Sequence, residues 1–349
     1  MAEAEIPVDL FNPGQVFACL GFLEAADILL EDVEGGFDWS SQADVKFVLR
    51  AKGERNPVEH VLNFLAEAQI ESWGPVGYKN PVPKKGGRTD EDDGDQDDER
   101  DDAESDVAEA SIVLSKVFPD RTGDRMSLPI RLGGGNQPIV ELGHWADGSS
   151  RNNFKLYAGN RSAHKIARAM LKGVRKKLTK KQKARGAPGD LVSKGIKQLW
   201  EDARQQLVKD PLNQLTPIGG RFNFDPRGAW TAIDAGYSPD RQNHQVTASP
   251  VVEFLAAWGL ENARPREISE DYQDLVGDDG WNGLGNSRPR EIGKRLVGYA
   301  AWGIPLRPIL ARAAFCGALT TVPLKHFRFE LKMSGKNKVV TFAEMEPQP

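Results

Sequence analysis

The sequence is poor in the residues from which most catalytic and metal sites are built. Its 349 residues contain only two cysteines, Cys19 and Cys316, far apart and each in an apolar helical context. That excludes a disulfide framework and a cysteine-rich zinc site. Both are expected to be buried free thiols of a reducing cytoplasm. The five histidines, His60, His144, His164, His244 and His326, are scattered, with no HxxxH, HExxH or His-Asp doublet. Gly-x-Ser-x-Gly is absent, and the run Gly133-Gly134-Gly135 fits neither GxGxxG nor a phosphate loop, so it reads as a hairpin turn. Asp278-Asp279-Gly280 is an acidic pair without a second acidic motif, so a polar loop is expected there. No apolar run is long enough to span a membrane, because the longest helix candidate, 16–30, carries Glu24 and Asp27. The opening Met1-Ala-Glu-Ala-Glu has neither a basic segment nor a cleavage site. The expectation is a cytoplasmic, non-enzymatic protein that needs no cofactor and no metal.

Acidic residues are missing from one long stretch. Between Arg151 and Arg185 there are 13 basic residues and no acidic one. The opposite bias occupies Asp90 to Glu109, with 13 acidic residues against Arg100 alone, a local charge of −12. The formal net charge of −4 is therefore a cancellation, and the chain outside the acidic run carries +8. A basic body with one acidic insert points to polyanionic partners. The insert is so poor in apolar residues that a disordered loop is expected.

Periodicity gives an α+β chain. Residues 1–70 read strand, helix, strand, strand, helix, a ferredoxin-like βαββα portion with a mixed sheet that lacks its last strand, which could come from further along. Asn12-Pro13 and Asn56-Pro57 are helix starts, with Asn as N-cap and Pro in the first turn. Val16, Leu20, Leu23 and Ile28 form the apolar stripe of the first helix, and Gly35-Gly36 reads as a chain break. Strands are expected near 111–118, 127–132 and 138–142, and helices over 161–183 and 190–209. A largely helical region follows, with helices at 249–259 and 306–318, and a C-terminal β-hairpin over 326–343 closes the chain. The expected division is 1–86, an insert at 87–108, 109–185 with the basic helix, and 186–349.

The helix over 161–178 is the strongest functional signal. At 100° per residue, Arg161, Lys165, Arg168, Lys172 and Lys176 share one face, opposite Ile166, Met170, Val174 and Leu178. Eighteen residues make a ridge of roughly 27 Å, long enough to neutralise several phosphates. Arg175 and a basic tail to Arg185 extend it. Before it, Arg151, Asn152, Asn153, Phe154 and Lys155 combine cations, amides that can bond base edges, and an aromatic able to stack or wedge, set equally against a plain turn with Asx capping. Arg221, Arg227 and Arg241 are further candidate phosphate contacts, set against core packing by Phe222 and Phe224 with Asp225 as a helix cap.

Four segments carry a family resemblance. They are Leu10-Phe-Asn-Pro-Gly-Gln-Val-Phe-Ala-Cys-Leu-Gly-Phe-Leu-Glu-Ala-Ala26, Phe222–Pro239, Pro250-Val-Val-Glu-Phe-Leu-Ala-Ala-Trp-Gly-Leu260 and Trp302-Gly-Ile-Pro-Leu306. Together they resemble the CRISPR-associated large-subunit proteins of type I-U (also called I-G) surveillance complexes. The likeness spans most of the chain outside the acidic insert, and its motifs are structural. It implies a non-catalytic, DNA- and RNA-binding subunit of a type I effector complex in antiviral defence. Its partners would be guide RNA, target DNA, the other subunits of the complex and the Cas helicase–nuclease. Its role would be to recognise the flanking motif on duplex DNA while the guide reads the sequence. Two alternatives stand beside it: a backbone or scaffold subunit that holds guide RNA, and a metal-dependent nuclease using Asp278 and Asp279.

Overall fold

The structure is a computed structural model. It describes residues 1–41, 43–75, 112–115, 128–146, 154–157, 162–176, 190–218, 220–229, 246–268, 296–334 and 337–346. Strand β1 (Ala2–Pro7) leads to helix α1 (Pro13–Leu29), whose first turn forms as its residues dictate. The Asn12 side chain accepts from the Gln15 N–H at 3.2 Å, and Pro13 occupies the first turn. Strands β2 (Glu34–Asp38) and β3 (Lys46–Ala51) and helix α2 (Pro57–Glu67) follow, the latter capped in the same way by Asn56. The sheet order is β1-β3-β2, all antiparallel. β1 and β2 flank β3, the split β-α-β arrangement of a ferredoxin-like unit. Phe47 and Leu49 point inward, and Lys46, Val48 and Arg50 are only half-buried.

Gly35-Gly36 is not a break but part of β2. Gly35 exchanges two backbone hydrogen bonds with Leu306, at 2.9 and 2.8 Å, and accepts the Trp302 indole N–H at 2.8 Å. A Cβ on Gly36 would lie 2.2 Å from the Ile304 carbonyl oxygen, so glycine permits the contact. The strand after α2, β4 (Ile70–Pro75), does not complete the first sheet. It pairs parallel with β5 (Ile112–Ser115) and antiparallel with β6 (Ile130–Gly134), and β7 (Gln137–Leu142) completes a second, mixed sheet. The triple glycine makes the β6–β7 hairpin turn, all three residues at positive φ.

Next come helix α3 (Ala163–Lys172), the short strands β8 (Val174–Arg175) and β9 (Leu191–Ser193), and helix α4 (Ile196–Lys209). β10 (Thr216–Pro217) and β11 (Thr247–Ala248) pair ahead of helix α5 (Pro250–Asn262). The last sheet consists of β12 (Arg266–Glu267), β13 (Leu296–Trp302), β14 (Leu324–Ser334) and β15 (Asn337–Val340), with β16 (Glu344–Met345) also on β14; helix α6 (Pro308–Phe315) packs against β13. β13 was not expected. It is buried from Val297 to Trp302, and Leu-Val-Gly-Tyr-Ala-Ala-Trp lacks the alternation of a half-exposed strand. Periodicity cannot distinguish such a run from a buried helix.

α1 is buried on all sides from Pro13 to Ala26, not along a stripe, and Ile28 of the expected stripe is exposed. It packs closely against α5 because glycines remove side chains where the backbones meet. A Cβ on Gly21 would lie 2.0 Å from the Leu255 carbonyl oxygen, and one on Gly259 would lie 2.3 Å from that of Phe17. The Phe17 ring gathers Phe154, Phe224, Tyr299, Phe315 and Phe329, with centroids 5.4 to 6.5 Å away. One hydrophobic core therefore runs from Ala4 to Ala343.

Candidate nucleic-acid interface

Helix α3 begins where Ser162 accepts the Lys165 N–H at 3.3 Å. It buries Ala163, Ile166, Ala167, Met170 and Leu171. Its other side presents Arg168 exposed, with Lys165 and Lys172 half-buried. Up to this point the amphipathic reading holds. The helix then stops at Lys172, ten residues long, about 15 Å rather than the expected 27 Å. Gly173 ends it with φ +67° and ψ 179°, a conformation essentially restricted to glycine. A Cβ there would meet the Ser193 carbonyl oxygen at 2.4 Å. The chain continues as β8 against β9, and the Lys176 N–H donates to the Asp190 carbonyl at 2.7 Å. Arg175 and Lys176 are exposed but lie beyond the helix. The stop signal was in the sequence: glycine directly after a lysine in the last turn is a helix terminator.

Folding adds a cation the linear reading missed. The backbones of Gly173 and Gly195 meet, and this brings the first turn of α4, with Lys197, beside the end of α3. Burial lowers the pKa of the Lys172 ammonium, and the positive charges of Arg168 and Lys197 lower it further. His164, in hydrogen-bond contact with the Ile70 carbonyl at 3.4 Å, is lowered mainly by burial, with Arg168, Lys165 and Lys172 adding to it. Among the described residues neither Arg168 nor Lys172 forms an ion pair with a carboxylate. Half-buried Lys197 has exposed Glu201 at 3.8 Å, one turn on. The outer face of the first sheet is different, because its charges neutralise one another: Lys46–Glu5 at 2.8 Å, Arg50–Glu3 at 2.6 Å and Arg50–Glu34 at 3.6 Å.

Other expected contacts are not brought to this surface. Arg151, Asn152, Asn153, Arg161 and Arg241 lie outside the described residues, as do the acidic run 90–109 and Asp278-Asp279. Lys155 is half-buried, its ammonium 5.5 Å from the Tyr157 ring centroid. Phe154 is buried against Phe17 and is not available to stack on or wedge between bases. Arg227 serves the interior. It forks onto buried Asp225 with bonds of 2.8 Å from Nε and from Nη2, and reaches Asn213 Oδ1 and the Leu212 carbonyl, each at 2.8 Å. Arg221 donates to Asn223 Oδ1 at 2.9 Å and to the Gly228 carbonyl. Asp225 caps the short 3-10 turn Pro226–Gly228, as its position before proline implied.

No group of three or more His, Cys, Asp or Glu side chains converges among the described residues as a metal site would require. Among them, no helix is long and apolar enough to cross a membrane. His144 is fully buried, and burial pushes its pKa down to about 3, so it is neutral beside Glu261 at 4.0 Å. Cys19 is buried in α1; Cys316, at the end of α6, is half-buried and donates to the Arg264 carbonyl at 2.9 Å. Comparison of the chain with protein-family models, curated proteins and solved structures finds no match.

Proposed function

We propose that the chain is a non-catalytic nucleic-acid-binding subunit of a type I CRISPR effector complex, the large subunit that contacts guide RNA and target DNA and reads the flanking motif. The observation that supports polyanion binding is the α3–α4 cationic cluster: Lys165, Arg168, Lys172 and Lys197, continued by Arg175 and Lys176. Like charges that sit together cost stability, and a phosphate backbone relieves that cost. Support for the CRISPR context is the resemblance of the four segments named above. Their described parts meet in one place: Asn12 bonds Asp225 at 3.3 Å, Phe17 packs on Phe224, α1 crosses α5, and Trp302 bonds β2. Those motifs hold the scaffold, and the phosphate contacts lie elsewhere on it.

The test replaces Lys165, Arg168, Lys172 and Lys197 by Ala and follows duplex binding of the assembled complex against salt. If all four meet phosphates, the slope of log K against log salt becomes shallower by about 3.6. An unchanged affinity and slope overturns the role of the cluster. Native mass spectrometry of the complex should show one copy of the chain; several copies would make it a backbone subunit.

A further inference from the structure

Among the described residues, one edge of the first sheet is unpaired. Ferredoxin-like order would put a fourth strand beside β1, but β4 pairs in the second sheet, and among the described residues nothing pairs with the outer side of β1. Which β1 groups face outward follows from the ladder. Gly35 directs its N–H and C=O away from β3 to Leu306, so the paired Leu49 directs its own towards Ala4 of β1. Val8 donating to Val45 at 3.0 Å obeys the same alternation. Glu3 and Glu5 therefore present their backbone N–H and C=O groups outward, at strand spacing. A cleft of about 570 Å³ opens along this edge. It is lined by Ala4 and Glu5 of β1, by Asn56 and Glu59 at the start of α2, and by Arg204, Gln205, Val208 and Lys209 of α4.

Side chains specify what fits. Across the outer face of the sheet, charge alternates strand by strand: Glu34 and Asp38 on β2, Lys46 and Arg50 on β3, Glu3 and Glu5 on β1. Glu34, Arg50 and Glu3 lie in one cross-strand row. The next strand continues this alternation if its outer side chains are basic. On the inner face buried Ala4 and half-buried Val208 leave room for a small apolar group, beside Lys209 and an Arg204–Glu59 ion pair of 2.8 Å that satisfies its own charges. A second copy of β1 does not fit, because it would set Glu3 and Glu5 of one chain against those of the other.

We propose that this edge docks an extended segment of a partner chain, which adds as a fourth, antiparallel strand and alternates basic with small apolar side chains. The inference stands apart from the α3–α4 cluster and does not need the CRISPR reading. The test is residue-resolved hydrogen exchange on the full chain, with a short blocked peptide of alternating Lys and Val as probe. In the free protein the Glu3 and Glu5 amides should exchange rapidly. With peptide at about ten times its dissociation constant they should slow by about tenfold. A Lys side chain on the outer face belongs to the residue whose backbone bonds β1. N-methylation of the Lys amides should therefore abolish protection, and N-methylation of the Val amides should not. A peptide held by charge alone, for instance on the acidic insert, would respond equally to both modifications. Equal responses, no slowing, or protection already present in the free chain each overturn the proposal.

Discussion

Arg227 offers a sharp test of the distinction between cations that hold the fold and cations that bind a partner. The Asp225 side chain is fully buried, and its carboxylate is an acceptor for five groups. They are Arg227 Nε and Nη2 at 2.8 Å, the Ser249 N–H at 3.1 Å, the Arg227 N–H at 3.2 Å and Asn12 Nδ2 at 3.3 Å. These bonds tie the 3-10 turn Pro226–Gly228 to the starts of α1 and α5. Asp225→Ala removes the buried partner of an arginine whose side chain is itself only 20% exposed. Breaking a buried pair from one side costs about 3 to 5 kcal/mol, because the remaining charge is left uncompensated. Asp225→Ala/Arg227→Ala removes both charges, so it should be more stable than the sum of the single losses predicts, with a coupling of about 1 to 3 kcal/mol. Urea unfolding followed by tryptophan fluorescence gives each value. The nucleic-acid salt slope of Arg227→Ala should match that of the parent protein. A loss below about 1 kcal/mol in Asp225→Ala, or additive single losses, would refute the argument.

Three further outcomes are expected, two from the structure and one from the charge distribution of the sequence. Gly173→Ala forces a Cβ to 2.4 Å from the Ser193 carbonyl at a glycine-only conformation; it should cost about 1 to 3 kcal/mol in urea unfolding and make the salt slope shallower, because Gly173 aligns Lys172 with Lys197. His144, neutral in the fold with a pKa of about 3 against 6.5 unfolded, makes stability fall as pH drops below 6.5, because the unfolded chain takes up the proton first. Glu253, raised to about 7 by burial, has the opposite slope between its ordinary 4.5 and 7, so His144→Gln should lose its stability less steeply than the parent below pH 4.5, as measured by unfolding across pH. Deletion of Asp90–Asp106 should leave the melting temperature unchanged and strengthen nonspecific DNA binding, read by anisotropy at low salt; weaker binding would show that the insert does not screen the basic surface.

The local signals were legible because they act within one turn or one strand. Asn12-Pro13 and Asn56-Pro57 start helices, Gly133-Gly134-Gly135 turns a hairpin, Phe47 and Leu49 alternate inward, and the charge imbalance marks the basic stretch. Gly173 was equally legible as a stop, but helical periodicity running through it on both sides suggested a longer helix. The tertiary structure decided what depends on contact between distant residues. β4 leaves the first sheet because its pairing partners, β5 and β6, lie further along the chain, so β1 has no second partner among the described residues. β13 lost its alternation because both of its faces are covered. Lys197 joins Lys172 only because two glycine backbones meet. Arg227 turned inward because buried Asp225 offers it a carboxylate, the same chemistry a phosphate would have offered outside. Composition determined that the chain carries a concentrated positive charge; packing decided which of those charges remain at the surface.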